Sequence, residues 1–475
     1  MRVARAVRRR FGSSLLGRGG SEPRQRPVAI APDAPIASIA QALDIGAADH
    51  IVGERLAYDI PSSQLATLLT SVLAAAEERR QTCFVQEPGR IVRLRSAPGR
   101  DPVRSLGGRP MFRLFIVDAN GELIENLCIT TWRKASDSWV TLSDQSPVGR
   151  IVKGGAAAPT APVLTDASYT FPIDAVYTWV NAADPAWRAE VAKYRDVATL
   201  GVDRFAQSDE LRYSLRSLDL FAPWIRRIFV LTNCAPPTWF RPSDRVRWID
   251  HRDVVDEGSL PLFNSRAIET FLHRIPDLAE HFVYLNDDVI VWDNVFPSTF
   301  FTFDGKSIAH LNSRPLVIYW QQLLDAGQAE TYQAARVNGA RLIRDRYGFL
   351  PTRSHQHVPF AFRRTFVDRM EQDFPDEFRA ERASRFRDLR DFTLMSFVYH
   401  HWAVANGLAV AGHARDLMLN ARGPEPLDQA RLAEVDFICL NDTGGSSTDP
   451  KMQRFKADFF GDRLPIRSSA ELGPT

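Results

Sequence analysis

Cysteine is scarce. The chain has 475 residues and four cysteines, Cys83, Cys128, Cys234 and Cys439, with no Cys-x-x-Cys pair among them. This spacing argues against a zinc site or a disulfide framework and predicts isolated buried thiols in a reducing compartment. Long apolar runs are missing too. No stretch approaches the ~20 residues that a membrane-spanning helix needs. The only apolar piece of the basic N-terminus, Ser14-Leu15-Leu16-Gly17, is too short for a signal-peptide core. These absences predict a cytoplasmic protein. Charge of one sign is also lacking: 59 Lys and Arg stand against 57 Asp and Glu, a net +2. That excludes nucleic acid as a partner recognised by bulk charge. The chain carries no Gly-x-Gly-x-x-Gly, no Walker loop and no Gly-x-Ser-x-Gly. Dinucleotide redox chemistry, P-loop hydrolysis and α/β-hydrolase chemistry are poor candidates.

What is present describes a globular chain, with 45% hydrophobic and 24% charged residues. Its length suggests about three domains. Charge is unevenly placed. Residues 1–28 hold eight Arg and one acid, Glu22, so +7 sits there and −5 on the remaining 447 residues. Residues 1–30 read as a disordered basic tail. It suits peripheral contact with anionic membrane lipid at the inner face, at roughly 1 kcal/mol per basic residue; a plain solubilising tail is the alternative. Residues 31–155 read as a small α+β domain. Leu65, Leu68, Leu69, Val72, Leu73 and Ala76 have helical spacing, and Asn120-Gly121 between two β-rich runs predicts a hairpin. No catalytic constellation occurs in it. The small, Pro-containing stretch from Gly154 to Pro162 marks a linker at 156–170.

From 171 to 465, strand and helix patterns alternate. The strands are Ile173–Val180, Arg227–Thr232, Val246–Asp250 and Phe282–Leu285. Between them run helices over Asp209–Leu220, with Ser208 as its cap, and over Ser265–Ile275. This order predicts an α/β fold with a mostly parallel open sheet and covering helices. Each strand is followed by polar residues: Asn181 and Asp184, Asn233, Asp250 and His251, and Asn286-Asp287-Asp288. Ligands of open α/β sheets bind beyond the carboxyl ends of the strands. Two adjacent carboxylates there are costly without a cation and suit Mg²⁺ or Mn²⁺. Glycosyltransferases that use nucleotide sugars place a short Asp-rich motif in this way; a solvated turn is the plainer alternative. His355 and His357 precede a helical stretch over Phe362–Asp373, and an imidazole near neutrality can take a hydroxyl proton. Arg385, Arg387 and Arg390 have the fork that grips phosphate, or else they line an exposed helix face. Phe437–Asn441 followed by Asp442 repeats the Leu285-Asn286-Asp287 pattern, and would bring a second Asn-Asp pair to the same edge if its strand joins the sheet.

These residues resemble the Stealth family. Ile173-Asp-Ala-Val-Tyr-Thr-Trp-Val-Asn-Ala-Ala-Asp-Pro185 is similar to its first conserved block. Arg204–Leu218, Ala222–Asn233 and Tyr284–Asp288 are similar to the second. His357-Val-Pro359 through Phe374-Pro375, Arg387 and Asp391 are similar to the third, and Phe437–Asp442 to the fourth. The family includes bacterial capsular-polysaccharide hexose-1-phosphate transferases and the catalytic subunit of the lysosomal-enzyme N-acetylglucosamine-1-phosphotransferase. The resemblance implies a nucleotide-sugar transferase-like fold and transfer of a sugar 1-phosphate from a nucleotide-sugar donor to a hydroxyl of a glycan acceptor. It implies His357 as the base, Arg387 (with Arg212) as the oxyanion clamp, and Mg²⁺ or Mn²⁺ on Asp287, Asp288 and Asp442. Asp174 joins His357 and Arg387 as catalytic and, with Asn181 and Asp184, holds nucleotide or metal. Asn233, Asn286, Asp391 and Asn441 complete the substrate contacts. His355 and Arg353 have no family counterpart. The block departs from the family at Ala182, where members often carry Gly, which leaves that loop's shape open. A metal-dependent glycosyltransferase moving the sugar without phosphate is the alternative activity, and a non-catalytic membrane scaffold is the alternative class.

Overall fold

The computed structural model describes residues 57–95, 106, 108–135, 138–141, 143, 150–152, 169–197, 208–420, 429–441 and 449–473. The basic tail, the linker up to residue 168 and Asp442 lie outside the described residues.

The first unit comprises β1 (Ala57–Pro61), a helix over Leu65–Glu78, β2 (Thr82–Glu87), β3 (Arg90–Arg93), β4 (Met111–Val117), β5 (Leu123–Ala135), β6 (Ser138–Val140) and β7 (Arg150–Val152). The sheet runs β3-β2-β4-β5-β6-β7, with β1 parallel to β5. β4 and β5 form the hairpin that Asn120-Gly121 predicts, and Gly121 takes the positive φ of 81° that its turn requires. The helix buries Leu65, Leu68, Leu69, Val72, Leu73 and Ala76 against Val85, Leu114, Ile116, Leu127 and Ile129. Leu69→Ala in this layer would cost about 2–5 kcal/mol. The unit docks on the rest of the chain through apolar and polar contacts: Ile91, Phe115 and Val117 join the core around Leu218 and Phe221, with Phe115 edge-on to Phe221. Gln86 Nε2 donates to Asp293 Oδ1 at 2.6 Å, and Arg113 Nε donates to Asn294 Oδ1 at 2.5 Å.

The second unit starts with β8 (Ile173–Thr178), β9 (Ile228–Thr232), β10 (Val246–Asp250) and β11 (His281–Asn286). Then follow β12 (Val289–Val291), β13 (Ser307–His310), β14 (Phe360–Arg363), β15 (Ala409–Gly412), β16 (Asp416–Asn420) and β17 (Phe437–Asn441). The main sheet has the order β10-β9-β8-β11-β14. Its first four strands are parallel and β14 is antiparallel at the edge. The mostly parallel α/β architecture is thus the observed one. Both faces are covered, as parallel sheets require. Alternation along β8 sends Ala175 and Tyr177 into one core, with Leu211, Leu215 and Leu218 of helix Glu210–Phe221. Val176 enters the other core, with Val337, Ala340 and Ile343 of helix Thr331–Tyr347.

Three local expectations change. Helix Glu210–Phe221 starts behind Asp209, which sits in the left-handed region at φ 61° and makes no side-chain cap, so Ser208 is not the cap. The helix expected over Ser265–Ile275 ends at Glu269, and a separate tight turn covers Leu272–Arg274. β17 does not join the main sheet. It lies between β12 and β16 in a small sheet of its own. Since β12 begins directly after Asp288, β17 still arrives at the same edge.

Candidate active site

The order β10-β9-β8-β11 reverses direction between β8 and β11. The connections leaving these two strands therefore diverge and open a crevice beyond their carboxyl ends. Thr178 pairs with Asn286 in the last rung of the two strands. Asn181, Asn233 and the run Asn286-Asp287-Asp288 follow β8, β9 and β11 at this edge, and all are partly buried.

Two chain segments meet Asn286-Asp287-Asp288 there. The loop before β14 brings His357, whose Nε2 lies 3.2 Å from Asn286 Nδ2. The small sheet brings Cys439, because β12 and β17 pair Val289 with Cys439. Cys439 Sγ is 2.9 Å from His357 Nδ1 and donates to Asp288 Oδ2 at 3.3 Å. Burial, then Asp288 and Asp287, push the thiol well above its ordinary range, so it keeps its proton. The hydrogen-bond network then assigns the proton positions. Nδ1–H donates to Sγ, S–H donates to Asp288, and the Nε2 lone pair faces Asn286. Burial and the charge of Arg336 lower His357 to about 4, against a weaker pull from Asp416. The imidazole is neutral at physiological pH and has a basic nitrogen at the crevice.

A set of cationic groups borders this cluster. Glu269 is buried, accepts from Tyr284 Oη at 3.4 Å and from Ser396 Oγ at 3.3 Å, and lies among Arg387, Arg266 and Arg336. Tyr284 Oη is in turn 2.8 Å from Thr178 Oγ1, which ties Glu269 to the end of β8. Burial raises Glu269 and the three guanidiniums oppose the rise. Arg387 donates to Ser265 Oγ at 2.7 Å. Arg336 is lowered to about 10, first by burial and then by Arg266. Arg266 also pairs with Asp391 at 2.9 Å, so three guanidiniums stand against the two carboxylates Glu269 and Asp391, and the positive charge left over suits an anionic ligand.

Asp287 and Asp288 provide the hard oxygen donors that Mg²⁺ or Mn²⁺ takes in company with substrate phosphates. Separately, the ligand atoms of Asp288, His357 and Cys439 all lie within 4.8 Å of one another.

Several expected site residues are elsewhere. Asp174 is the second residue of β8, four residues or about 13 Å of strand from Thr178. Its fully buried carboxylate accepts from Arg226 at 2.9 and 2.7 Å, from the Arg227 amide at 3.1 Å and from the Ala279 amide at 2.7 Å. It closes the opposite edge of the sheet and is not in the cluster. Asp184 caps helix Pro185–Ala192 through the Ala186 and Trp187 amides and also accepts from Ala235 N, so it shapes the loops around Asn181 and Asn233. Arg212 donates to Glu471 at 2.6 Å, alongside Arg216, and holds the C-terminal segment. Asp391 is buried under Arg266, Asn264, Ser384 and the Asp388 amide, a brace behind Arg387. His355 is buried against Phe360 and His400, with Nε2 accepting from His310 N at 3.1 Å. The Arg353 carbonyl accepts from His401. Asn441 is the last residue of β17.

Cys439, Arg336, Arg266 and Glu269 belong to the site without having been expected there. Arg266 and Glu269 are three apart on one helix, behind the capping Asn264.

Models of the Stealth protein conserved regions match this chain over residues 171–196 (region 1), 204–309 (region 2) and 356–405 (region 3). Asn286, Asp287 and Asp288 fall in region 2, and His357 and Arg387 in region 3. An exopolysaccharide phosphotransferase of Streptomyces coelicolor is 37% identical over 317 residues, 64% of this chain and 52% of the relative. An exopolysaccharide phosphotransferase of Nocardia farcinica is 36% identical over 328 residues, 64% of this chain and 62% of the relative. The capsular polysaccharide phosphotransferase SacB of Neisseria meningitidis serogroup A is 32% identical over 321 residues, 64% and 57% respectively. This chain spans about half the length of such relatives. Among solved structures, the galactosyltransferase LgtC with donor and acceptor sugar analogues gives a TM-score of 0.32 at 14% identity, covering 61% of this chain and 95% of that one. That likeness is too distant to add to the fold described above. The chain thus carries conserved regions 1, 2 and 3 of the Stealth proteins in chain order, and its relatives include phosphotransferases of exopolysaccharide and of capsular polysaccharide.

Proposed function

We propose that this protein transfers a sugar 1-phosphate from a nucleotide sugar to a glycan hydroxyl, forming a phosphodiester in cell-surface polysaccharide synthesis. The observation that carries this reading is the meeting of His357 and Asn286 at 3.2 Å beside the two carboxylates, with three guanidiniums close by. The acceptor hydroxyl replaces the Asn286 amide on His357 Nε2, which takes its proton. The hydroxyl oxygen bonds to the sugar-linked phosphorus, the bond from that phosphorus to the bridging oxygen breaks, and nucleoside monophosphate leaves. Cys439 and Asp288 hold the proton on Nδ1 and so keep Nε2 basic, as a carboxylate does for imidazole in other sites. Arg387, with Arg336 and Arg266, opposes the charge gathering on the transferring oxygens. Asn181 and Asn233 line the nucleotide side of the crevice. Asp287 and Asp288 would hold Mg²⁺ or Mn²⁺, which when bound neutralises the donor diphosphate.

Among the described residues no helix is long and apolar enough to cross a membrane. The Arg-rich segment before the first unit supplies a reversible hold on anionic lipid, which keeps the site near membrane-borne acceptors.

The test incubates the protein with a panel of nucleotide sugars, Mg²⁺ and polysaccharide acceptors. Release of nucleoside monophosphate with phosphorus retained in the polymer supports the proposal. Release of nucleoside diphosphate, with a phosphorus-free product, replaces it with ordinary glycosyl transfer.

A further inference from the structure

Asp288, His357 and Cys439 form a donor set of one oxygen, one nitrogen and one sulfur. Mg²⁺ and Mn²⁺ have no use for the thiol, because they favour oxygen. Zn²⁺ takes all three ligand types, at about 2.0–2.3 Å in tetrahedral order, which places ligand atoms roughly 3.4–3.6 Å apart. Here Nδ1 to Sγ is 2.9 Å and Sγ to Oδ2 is 3.3 Å. These two separations need open by about 0.2–0.7 Å to fit, and all three ligand atoms lie within 4.8 Å of one another. All three atoms come from separate elements: the turn after β11, the loop before β14, and β17. Asp288 lies between the end of β11 and the start of β12, His357 three residues before β14, and Cys439 inside β17. Asn286, on the far nitrogen of the same imidazole, is the outer partner that metal-binding histidines usually have.

We propose that Asp288, His357 and Cys439 bind a thiophilic divalent cation of the Zn²⁺ class, and that this cation switches the enzyme off. On binding, Cys439 forms a metal–sulfur bond and its proton passes to solvent. One carboxylate and one thiolate then neutralise the dication. Nδ1 gives its lone pair to the metal, so the imidazole proton must sit on Nε2. That is the nitrogen needed to accept the acceptor's proton, and it is now a donor. Asn286 answers by turning its amide so that Oδ1 accepts from Nε2–H. The metal thus converts His357 from the basic tautomer to the inert one without displacing it. The cation site stands on the trio alone; the loss of turnover rests on the phosphotransferase reading.

The test titrates full-length, metal-free protein with Co²⁺ as a visible probe for the Zn²⁺ class. One equivalent should produce a thiolate-to-cobalt charge-transfer band, which Zn²⁺ abolishes by displacement. The band should be lost in Cys439→Ser and in His357→Gln. Absence of the band in folded wild-type protein, or an undiminished band in Cys439→Ser, overturns the site. Should Cys439→Ser fail to fold, alkylation of the wild-type protein decides: Zn²⁺ should shield Cys439, and full labelling of Cys439 with Zn²⁺ present overturns the site. With Mg²⁺ in excess, filling the site with Zn²⁺ should lower nucleoside monophosphate release by about 10²–10⁴, the worth of the base, and chelation followed by Mg²⁺ should restore it. Full turnover with Zn²⁺ bound refutes the tautomer switch. Silence under every metal condition overturns the phosphotransferase reading instead, and the cobalt band still decides the site.

Discussion

Replacing Asp174 separates a structural carboxylate from a catalytic one. In the fold it ties three chain segments at the edge of the sheet away from the crevice. Asp174→Ala leaves the Arg226 guanidinium and the Arg227 and Ala279 amides without their acceptor. Breaking a buried ion pair by removing one partner costs about 3–5 kcal/mol. The side chain of Arg226 is 39% exposed, so water takes over part of its solvation and the ionic share falls to about 1–2 kcal/mol. The Ala279 amide is buried, and losing its acceptor adds about 1–3 kcal/mol. The total is of the order of 2–5 kcal/mol. For a unit of this size each kcal/mol moves the melting point by about 2–4 °C, so a drop of roughly 4–20 °C is expected. Asp174→Asn keeps two of the four contacts in principle and should lie between. The assay is thermal unfolding beside turnover per folded molecule at a temperature where each variant is native. Turnover should stay within a factor of about two. A variant with wild-type melting and no turnover would refute this placement and return Asp174 to the catalytic groups.

Four further outcomes are expected. His357→Ala should lower turnover by about 10²–10⁴ with donor affinity nearly kept, whereas His355→Ala should act through stability; donor and turnover assays on both variants check this. The acid limb of the wild-type rate should fall near pH 4, where the His357 imidazole gains its proton, and not near neutrality as an unperturbed histidine would give; a pH–rate profile decides. Burial lowers His251, His310 and His401 to about 4 each, so from pH 6.5 downward only the unfolded chain takes up their protons. Their stability is fully present above 6.5 and is lost as pH falls toward 4, by roughly 2 kcal/mol per histidine at pH 5; urea unfolding at pH 7 and pH 5 measures it. Deleting residues 1–28 should leave turnover on soluble acceptors unchanged and weaken salt-sensitive binding to anionic vesicles; equal vesicle binding by the shortened protein rules the tail out as the contact.

The alternation of strands and helices from Ile173 to Leu285 was readable, because apolar runs flanked by Asn and Asp carry both the sheet and its ligand edge. Asn286 was legible as the polar residue that closes the apolar run of β11, whereas His357 was singled out by its resemblance to the third Stealth block. The place of Asp174 was legible too, since the second residue of a parallel strand lies at the end away from ligands. Arg212 and Asp391 could not be placed, since charged side chains in helix and loop runs reveal no partners. The partner of Arg212, Glu471, is 259 positions away. Cys439 was obscured by strand pairing. A lone cysteine in a β-rich run becomes a site residue only when Val289 is known to lie opposite it. Arg336 lies in a helix of mixed composition, and only the packing of that helix against the sheet shows what its charge faces.

The contact between Cys439 and Asp288 spans 151 positions of chain. During synthesis at about 5–20 residues per second, the acidic turn leaves the ribosome roughly 8–30 s before β17 does. Through that interval the nascent chain has its β8–β11 core sequence but no imidazole fixed in tautomer, because the strand that fixes it is still unmade. A product cut short between residues 364 and 436 would carry the whole main sheet and His357 without Cys439, so nothing would hold the imidazole proton on Nδ1. The acidic turn and the imidazole are thus completed by a strand made after both of them.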